Sequence, residues 1–155
     1  MKDNKNIKII STNIQVIRDY TIFEFIEAGI VLLGSEVKSI REGRVNLKDS
    51  YATVKDGEIY LVKSHISEYT HANRANHNPE RERKLLFKKK EINKLIGRTT
   101  ERGYTLVPTK IYFKGPFVKV EIGIARGVKQ YDKRETIKKR EMERETAFYL
   151  TSKKR

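Results

Sequence analysis

A mainly β fold with short helices, closing as a six-stranded antiparallel barrel, is what this sequence predicts. Three observations carry it. Short runs of β-branched and aromatic residues recur through residues 1–126, punctuated by Gly, Asp and Pro at turn positions. Two segments carry helix start and stop signals, too few and too badly placed for alternating strand–helix winding. Hydrophobic residues make up 37% and charged residues 35% of the 155, which suits one small core with charge-rich margins. Short antiparallel strands on a small core close most easily on themselves, which points to an OB-like barrel.

The elements follow in order. Residues Met1–Asn13 form a polar lead-in with a short apolar piece at Ile7–Ile10. Tyr20–Glu27 is aromatic and β-branched, Ala28-Gly29 offers a turn, and Ile30–Leu33 reads as the returning strand of a hairpin. Ser35 is placed to cap a helix over Glu36–Arg41, with Gly43 just past its end. Val37 and Ile40 would face inward there, leaving Glu36, Lys38 and Arg41 outward. Tyr51–Val54 and Glu58–Val62 flank Asp56-Gly57, a strong hairpin signal because glycine accepts the positive φ of a tight turn.

His71–Arg83 is polar, follows neither period and contains Pro79, so it reads as a loop. Leu85 to Gly97 fits a helix with the stripe Leu85, Ile92, Leu95 and Ile96. Thr105–Phe113 and Val118–Ala125 are the last strands, joined by Lys114-Gly115-Pro116. Pro108 cannot donate to a ladder, so its strand is an edge or is bulged there.

From Arg126 the composition shifts. The last 30 residues hold 11 Lys and Arg against 5 Asp and Glu, and Ile137, Met142 and Phe148 make no helical stripe. The chain therefore reads as a barrel over 1–126 and a basic tail over 127–155 that is marginal alone and folds on a partner. Wound as a helix, Lys133, Ile137, Arg140 and Arg144 would share one face.

Net charge decides the class of partner. At +14, with pI near 9.9, the chain attracts polyanions, and phosphate neutralisation releases condensed counterions. No segment offers the apolar face beside lysines that an anionic membrane surface requires, so nucleic acid is the expected partner and no membrane is. The absence of cysteine excludes disulfides, thiolate chemistry and Cys-based metal sites. No leader is visible, and the uncharged run at Ile30–Leu33 is too short to span a bilayer, so a soluble, cytoplasmic chain, monomeric when free, is expected.

Catalysis finds little support. His65, His71 and His77 lack the spacing of a metal site, and the carboxylates are dispersed beside lysines and arginines. No catalytic residue, metal or cofactor is expected. Binding finds more. His71–Lys90 carries seven Lys and Arg among three Asn and two His, which suits phosphates together with base edges or 2′-hydroxyls. Gly34–Gly43 is a second candidate and Gly127–Arg134, with the stackable Tyr131, a third. Taken singly, each could be an ordinary solvated charged segment.

Together these stretches resemble the SsrA-binding protein family (small protein B, SmpB). The matching segments are EAGIVLLGSEVKSIREG (Glu27–Gly43), DSYATVKDGEIYLV (Asp49–Val62), NHNPERERKLLFKKKEI (Asn76–Ile92), ERGYTLVPTKIYFKG (Glu101–Gly115) and KVEIGIARGVKQYDKR (Lys119–Arg134). The resemblance implies an OB-like six-stranded barrel with a tail disordered when free. It implies a non-enzymatic protein that binds the tRNA-like domain of transfer-messenger RNA (tmRNA) and enters the A site of stalled ribosomes, where trans-translation tags the nascent peptide. The tail would then lie as a helix in the vacant mRNA channel of the small subunit.

Carried onto this chain, the resemblance assigns RNA contact to Glu36, Lys38, Arg41, Asn76, His77, Arg81, Arg83, Lys84, Leu85 and Leu86. It assigns Tyr131, Asp132, Lys133 and Arg134 to the decoding centre, followed by Lys138, Lys139, Arg140 and Arg144. The chain departs from the family pattern at Ile14-Gln15, where a basic pair is usual, at Arg18 for a common His, and at Val128 for a Lys. A ribosomal or assembly protein with a similar barrel would bind ribosomal RNA without preference for a tRNA-like fold, and a nuclease would cleave with magnesium. A gel shift with and without magnesium separates the three.

Overall fold

The computed structural model describes residues 6–70, 76–101 and 103–127. Strand β1 (Ile7–Thr12) leads into helix α1 (Ile14–Asp19) and the long strand β2 (Tyr20–Ile30). Helix α2 (Gly34–Arg41), the two-residue β3 (Val45–Asn46) and the hairpin β4 (Tyr51–Lys55) and β5 (Glu58–Val62) follow. Then come β6 (His65–Ile66), β7 (Arg83–Leu86), α3 (Lys89–Thr99), β8 (Tyr104–Lys114) and β9 (Phe117–Gly127).

Six strands close a ring in the order β8-β4-β5-β7-β2-β9, with β9 returning to β8, and all of the pairings are antiparallel. The expected OB-like barrel is therefore present. Strand β1 joins the far part of β8, from Ile7 opposite Lys114 to Thr12 opposite Lys110, and β3 pairs with β6 outside the ring. The interior is filled by the inward residues of successive strands, among them Ile59, Leu61, Leu85, Leu106, Ile111, Val120, Ile122 and Ile124. Ile40 of α2 and Leu95 of α3 complete the same cluster.

Turn chemistry acts as the sequence predicts at Asp56-Gly57, where both residues take positive φ (54° and 76°). That geometry matches the right-handed twist of the strands it joins. Pro108 also behaves as expected: the β8–β9 register slips between Pro108 and Lys110, so the missing N–H falls at a bulge. Asn13 secures that bulge, its amide donating to the carbonyls of Pro108 (3.0 Å) and Leu47 (3.1 Å).

Three local expectations are corrected. Ala28-Gly29 is no turn; β2 runs straight through it, with Ala28 buried opposite Val120, because β7 and β9 pair with this end of β2 from both sides. Leu85 lies on strand β7 rather than a helix, and α3 starts only at Lys89. A short apolar run fits either element by period, and here strand pairing with Ile59 decides. Helix α1 was not expected at all: it buries only Val16, so it leaves no periodic trace in the sequence. The tail over 128–155, expected to be disordered when free, lies outside the described residues.

Candidate nucleic-acid interface

Glu36 is the centre of the site. It sits in the first turn of α2, and its Oε1 accepts the Leu33 N–H at 2.8 Å, which closes the helix start that Ser35 was expected to cap. The side chain is fully buried, contrary to the outward orientation expected from the helix pattern. Two guanidiniums reach it. Arg81 donates Nη2 to Oε1 at 2.7 Å and Nε to Oε2 at 3.1 Å, and Arg83 donates Nε to Oε2 at 2.8 Å.

Arg83 is buried as completely as Glu36. Its remaining nitrogens donate to the Ser64 carbonyl (2.9 Å) and hydroxyl (3.0 Å) and to the carbonyls of Pro79 (2.9 Å) and Asn78 (3.4 Å). A planar fork with five N–H groups can satisfy that set, and a lysine could not. Burial by itself would raise the Glu36 carboxyl, but the Arg81 and Leu33 hydrogen bonds and the Arg83 charge together hold it below its ordinary value. Burial lowers Arg83, and the Glu36 charge opposes that.

The same segment is pinned a second time. His77, buried, accepts or donates through Nδ1 to Ser35 Oγ at 2.8 Å and contacts the Ile66 carbonyl through Nε2 at 2.8 Å. A carbonyl can only accept, so the Nε2–H donates to Ile66. Asn76 bridges the backbone of Tyr69, its Oδ1 accepting from N at 3.0 Å and its Nδ2 donating to O at 2.9 Å. Residues 76–83 are thus clamped onto α2 and β6 by buried polar contacts.

Outside this clamp lies a cationic layer. Lys38 and Arg41 are exposed on α2, Lys38 over the Tyr69 ring at 5.6 Å and Arg41 over Phe113 at 5.8 Å. Arg81 keeps 31% of its side chain exposed, and Lys84 stands 3.9 Å from Glu58. Glu36 is one carboxylate against two guanidiniums, so the buried cluster retains a positive charge behind the Arg81 edge. Leu86, Leu33 and Val31 add exposed apolar surface alongside. The arrangement offers phosphates a charged surface and offers bases or sugars an apolar margin.

Comparison with known proteins shows the lineage. The SmpB protein family model matches residues 10–152. The chain belongs to the SmpB family. The SsrA-binding protein of Geobacillus kaustophilus (strain HTA426) is 59% identical over 138 residues, 89% of each chain. That of Halalkalibacterium halodurans is 53% identical over 148 residues, 96% of each. A solved chain from "tmRNA-SmpB: a journey to the center of the bacterial ribosome" shares 45% identity at a TM-score of 0.64, covering 77% of this chain and 88% of that one.

Within this SmpB family member the residues singled out in the sequence divide in two. Lys38, Arg41, Arg81, Lys84 and Leu86 reach the surface, with Asn76 half-buried among them. Glu36, His77, Arg83 and Leu85 are buried, so in the unbound chain they hold the surface rather than form it. Ser35, Ser64, Tyr69 and Asn78 complete the clamp; the sequence offers Ser35 only as a helix cap and Asn78 only within the basic stretch, and nothing in it marks Ser64 or Tyr69, whose partners lie elsewhere in the chain. Tyr131, Asp132, Lys133, Arg134, Lys138, Lys139, Arg140 and Arg144 lie outside the described residues. Of the departures from the family pattern, Gln15 exchanges hydrogen bonds with Asp49, both at 2.9 Å, and Ile14 is exposed.

Proposed function

We propose that this chain binds the tRNA-like domain of tmRNA and delivers it to the A site of stalled ribosomes for trans-translation, with no bond chemistry of its own. The buried Glu36–Arg81–Arg83 cluster carries the reading. It fixes a cationic surface of Lys38, Arg41 and Arg81 before any RNA arrives, which lowers the ordering cost of binding. Glu36, His77, Arg83 and Leu85 position that surface, and Lys38, Arg41, Asn76, Arg81, Lys84 and Leu86 touch the RNA. The relatives are SsrA-binding proteins, and the solved neighbour is named for tmRNA and the bacterial ribosome.

In the same reading the barrel spans 1–126 and the tail 127–155 serves the ribosome. Tyr131, Asp132, Lys133 and Arg134 meet the decoding centre, and Lys138, Lys139, Arg140 and Arg144 follow the mRNA channel of the small subunit. Ribosomal partners put its work in the cytoplasm; no helix among the described residues is long and apolar enough to cross a membrane.

Titration of the purified chain against tmRNA, a tRNA and ribosomal RNA fragments tests the proposal. Preferential binding of tmRNA is expected, unchanged by magnesium removal beyond its effect on RNA folding. Equal binding of all three RNAs, or magnesium-dependent cleavage, overturns it. A chain ending at Gly127 should bind tmRNA and fail to support tagging. Loss of RNA binding on that truncation would end the division between barrel and tail.

A further inference from the structure

Between β5 and β6 the chain passes from the closed ring to the clamp. Strand β5 pairs with β4 and β7 within the ring, and β6 pairs with β3 outside it. Only Lys63 and Ser64 join the two strands. Lys63 takes a φ of 64°, in the left-handed region that most L residues avoid. Asp49 and Asp56 are the other non-glycine residues with positive φ among those described, and each has a local reason for it. Asp56 sits in the β4–β5 turn, and Asp49 exchanges two hydrogen bonds with Gln15. An aspartate also tolerates this region through its short polar side chain, which a lysine lacks. The Lys63 side chain is exposed and enters no ion pair among the described residues.

The bend at Lys63 delivers the strut that follows it. Ser64 is buried, and its carbonyl and hydroxyl both receive Arg83 Nη1, at 2.9 and 3.0 Å. Two residues on, the Ile66 N–H donates to the Pro79 carbonyl at 2.9 Å, and the Ile66 carbonyl accepts His77 Nε2 at 2.8 Å. The Ser67 carbonyl accepts the Ser39 hydroxyl of α2 at 2.6 Å. Residues 64–67 therefore touch α2 on one side and residues 77–83 on the other. An extended backbone at Lys63 would continue the line of β5 and turn the Ser64 carbonyl away from Arg83. That guanidinium is fully buried, so the lost acceptors would not be replaced by bulk water.

We propose that Lys63 is a positioning residue for the tmRNA-binding surface, acting through its left-handed backbone and not through its charge. The bend aims Ser64 at Arg83, Arg83 fixes Glu36, and Glu36 holds both Arg81 and the first turn of α2. Lys38 and Arg41 ride on that helix. Backbone strain at one residue persists only where its surroundings over-determine it, and here the buried bonds of Ser64 and Ile66 do so. This role presupposes the tmRNA binding proposed above. It also sets Lys63 apart from Lys38 and Arg41, whose charged heads are what the RNA meets.

Substitutions in the full chain, titrated against tmRNA at several salt concentrations, test it. Lys63→Gly and Lys63→Asn remove the charge and accept a positive φ. Each is expected to bind tmRNA within about twofold of the unaltered chain and with the same salt slope. Lys63→Val removes the same charge, but its branched side chain resists the left-handed region. It is expected to weaken binding roughly tenfold, because the clamped conformer becomes a minority of the folded chain. Thermal melting checks that each variant folds, and Lys63→Thr, with a smaller branched side chain, takes the place of a valine chain that does not. Full tmRNA affinity in the folded branched variant overturns the inference, since the bend then serves stability alone. A salt slope shallower by about one unit in Lys63→Gly and Lys63→Asn also overturns it, since the ammonium then meets a phosphate. Failure of the unaltered chain to bind tmRNA would instead overturn the proposed function.

Discussion

Arg83 Nε and Glu36 Oε2 are 2.8 Å apart, and neither side chain exposes any surface. Forty-seven positions separate them in sequence, so the pair ties the start of α2 to the strand that follows the clamped segment. Arg81 reaches the same carboxylate from the solvent side. Removing the carboxylate therefore strands one guanidinium in the interior and loosens another at the surface. Glu36→Gln is expected to destabilise the fold by about 3–5 kcal/mol, the usual cost of breaking a buried pair. It should also weaken tmRNA binding, although it makes a cationic protein more cationic. Urea unfolding, with RNA titration at one fixed salt concentration, measures both. Unchanged or tighter RNA binding in a folded variant would mean that bulk charge alone carries the affinity.

Acid should undo the same cluster. The folded-state values of Glu36 and Glu27 are depressed, in each case because hydrogen bonds and nearby cations outweigh the upward push of burial. A depressed carboxyl gives stability that is present above its unfolded value, about 4.3, and is lost as pH falls through the folded one. Stability should be flat near neutrality and decline once pH drops below about 4. Glu36→Gln should flatten that decline. A variant that keeps the full acid slope would place the titration elsewhere.

The surface cations should behave differently from the buried ones. Lys38→Ala removes a charge poised over the Tyr69 ring and leaves the clamp intact. Its expected effect is a salt dependence of tmRNA binding shallower by about one unit of slope, with little change in unfolding. An unchanged slope would show that Lys38 meets no phosphate.

Tyr131 and its neighbours are expected to act by shape as well as charge. Tyr131→Ala leaves net charge untouched, and exchanging Asp132 with Lys133 conserves composition. Both variants should bind tmRNA and reach the ribosome, yet support tagging slowly in a reconstituted stalled-ribosome assay. Stacking of this kind is worth roughly 1–3 kcal/mol per base. Normal tagging kinetics in both would reduce the segment to a basic linker.

How far the sequence could be read depended on how local each cause was. The Asp56-Gly57 hairpin and the Pro108 bulge are set within a few residues, by positive φ and by a missing donor, and both were visible. The expected six-stranded barrel is present, but not with the expected strands: the sequence suggests a strand at Ile30–Leu33, where only Ile30 belongs to one, and it presents β7 as loop and helix because the pairing partners of β7 lie on β5 and β2. The continuity of β2 through Ala28-Gly29 was hidden because it depends on β7 and β9, which lie far along the chain. Burial of Glu36 was hidden for a related reason: a carboxylate three residues into an amphipathic helix reads as solvated unless two arginines more than forty positions away are known to reach it. The basic stretch was legible as a candidate, but its division into supporting and contacting residues was not, because burial is a property of the assembled clamp.

Asn13 bears on how the chain can be made. Its amide holds Leu47, 34 positions on, and Pro108, 95 positions on. Its own N–H reaches the Thr109 carbonyl at 2.7 Å, and β1 and β2 pair with β8 and β9. During synthesis the first thirty residues therefore emerge long before the strands that complete them. Apart from Gly29 and Ile30, which pair with β7, their strands must wait for partners until β8 and β9 have left the exit tunnel. The barrel is closed by its latest-made segments, so its folding is slow to begin and largely follows translation. A protein proposed to rescue ribosomes that stop short could thus not finish its own core on a message cut before β8.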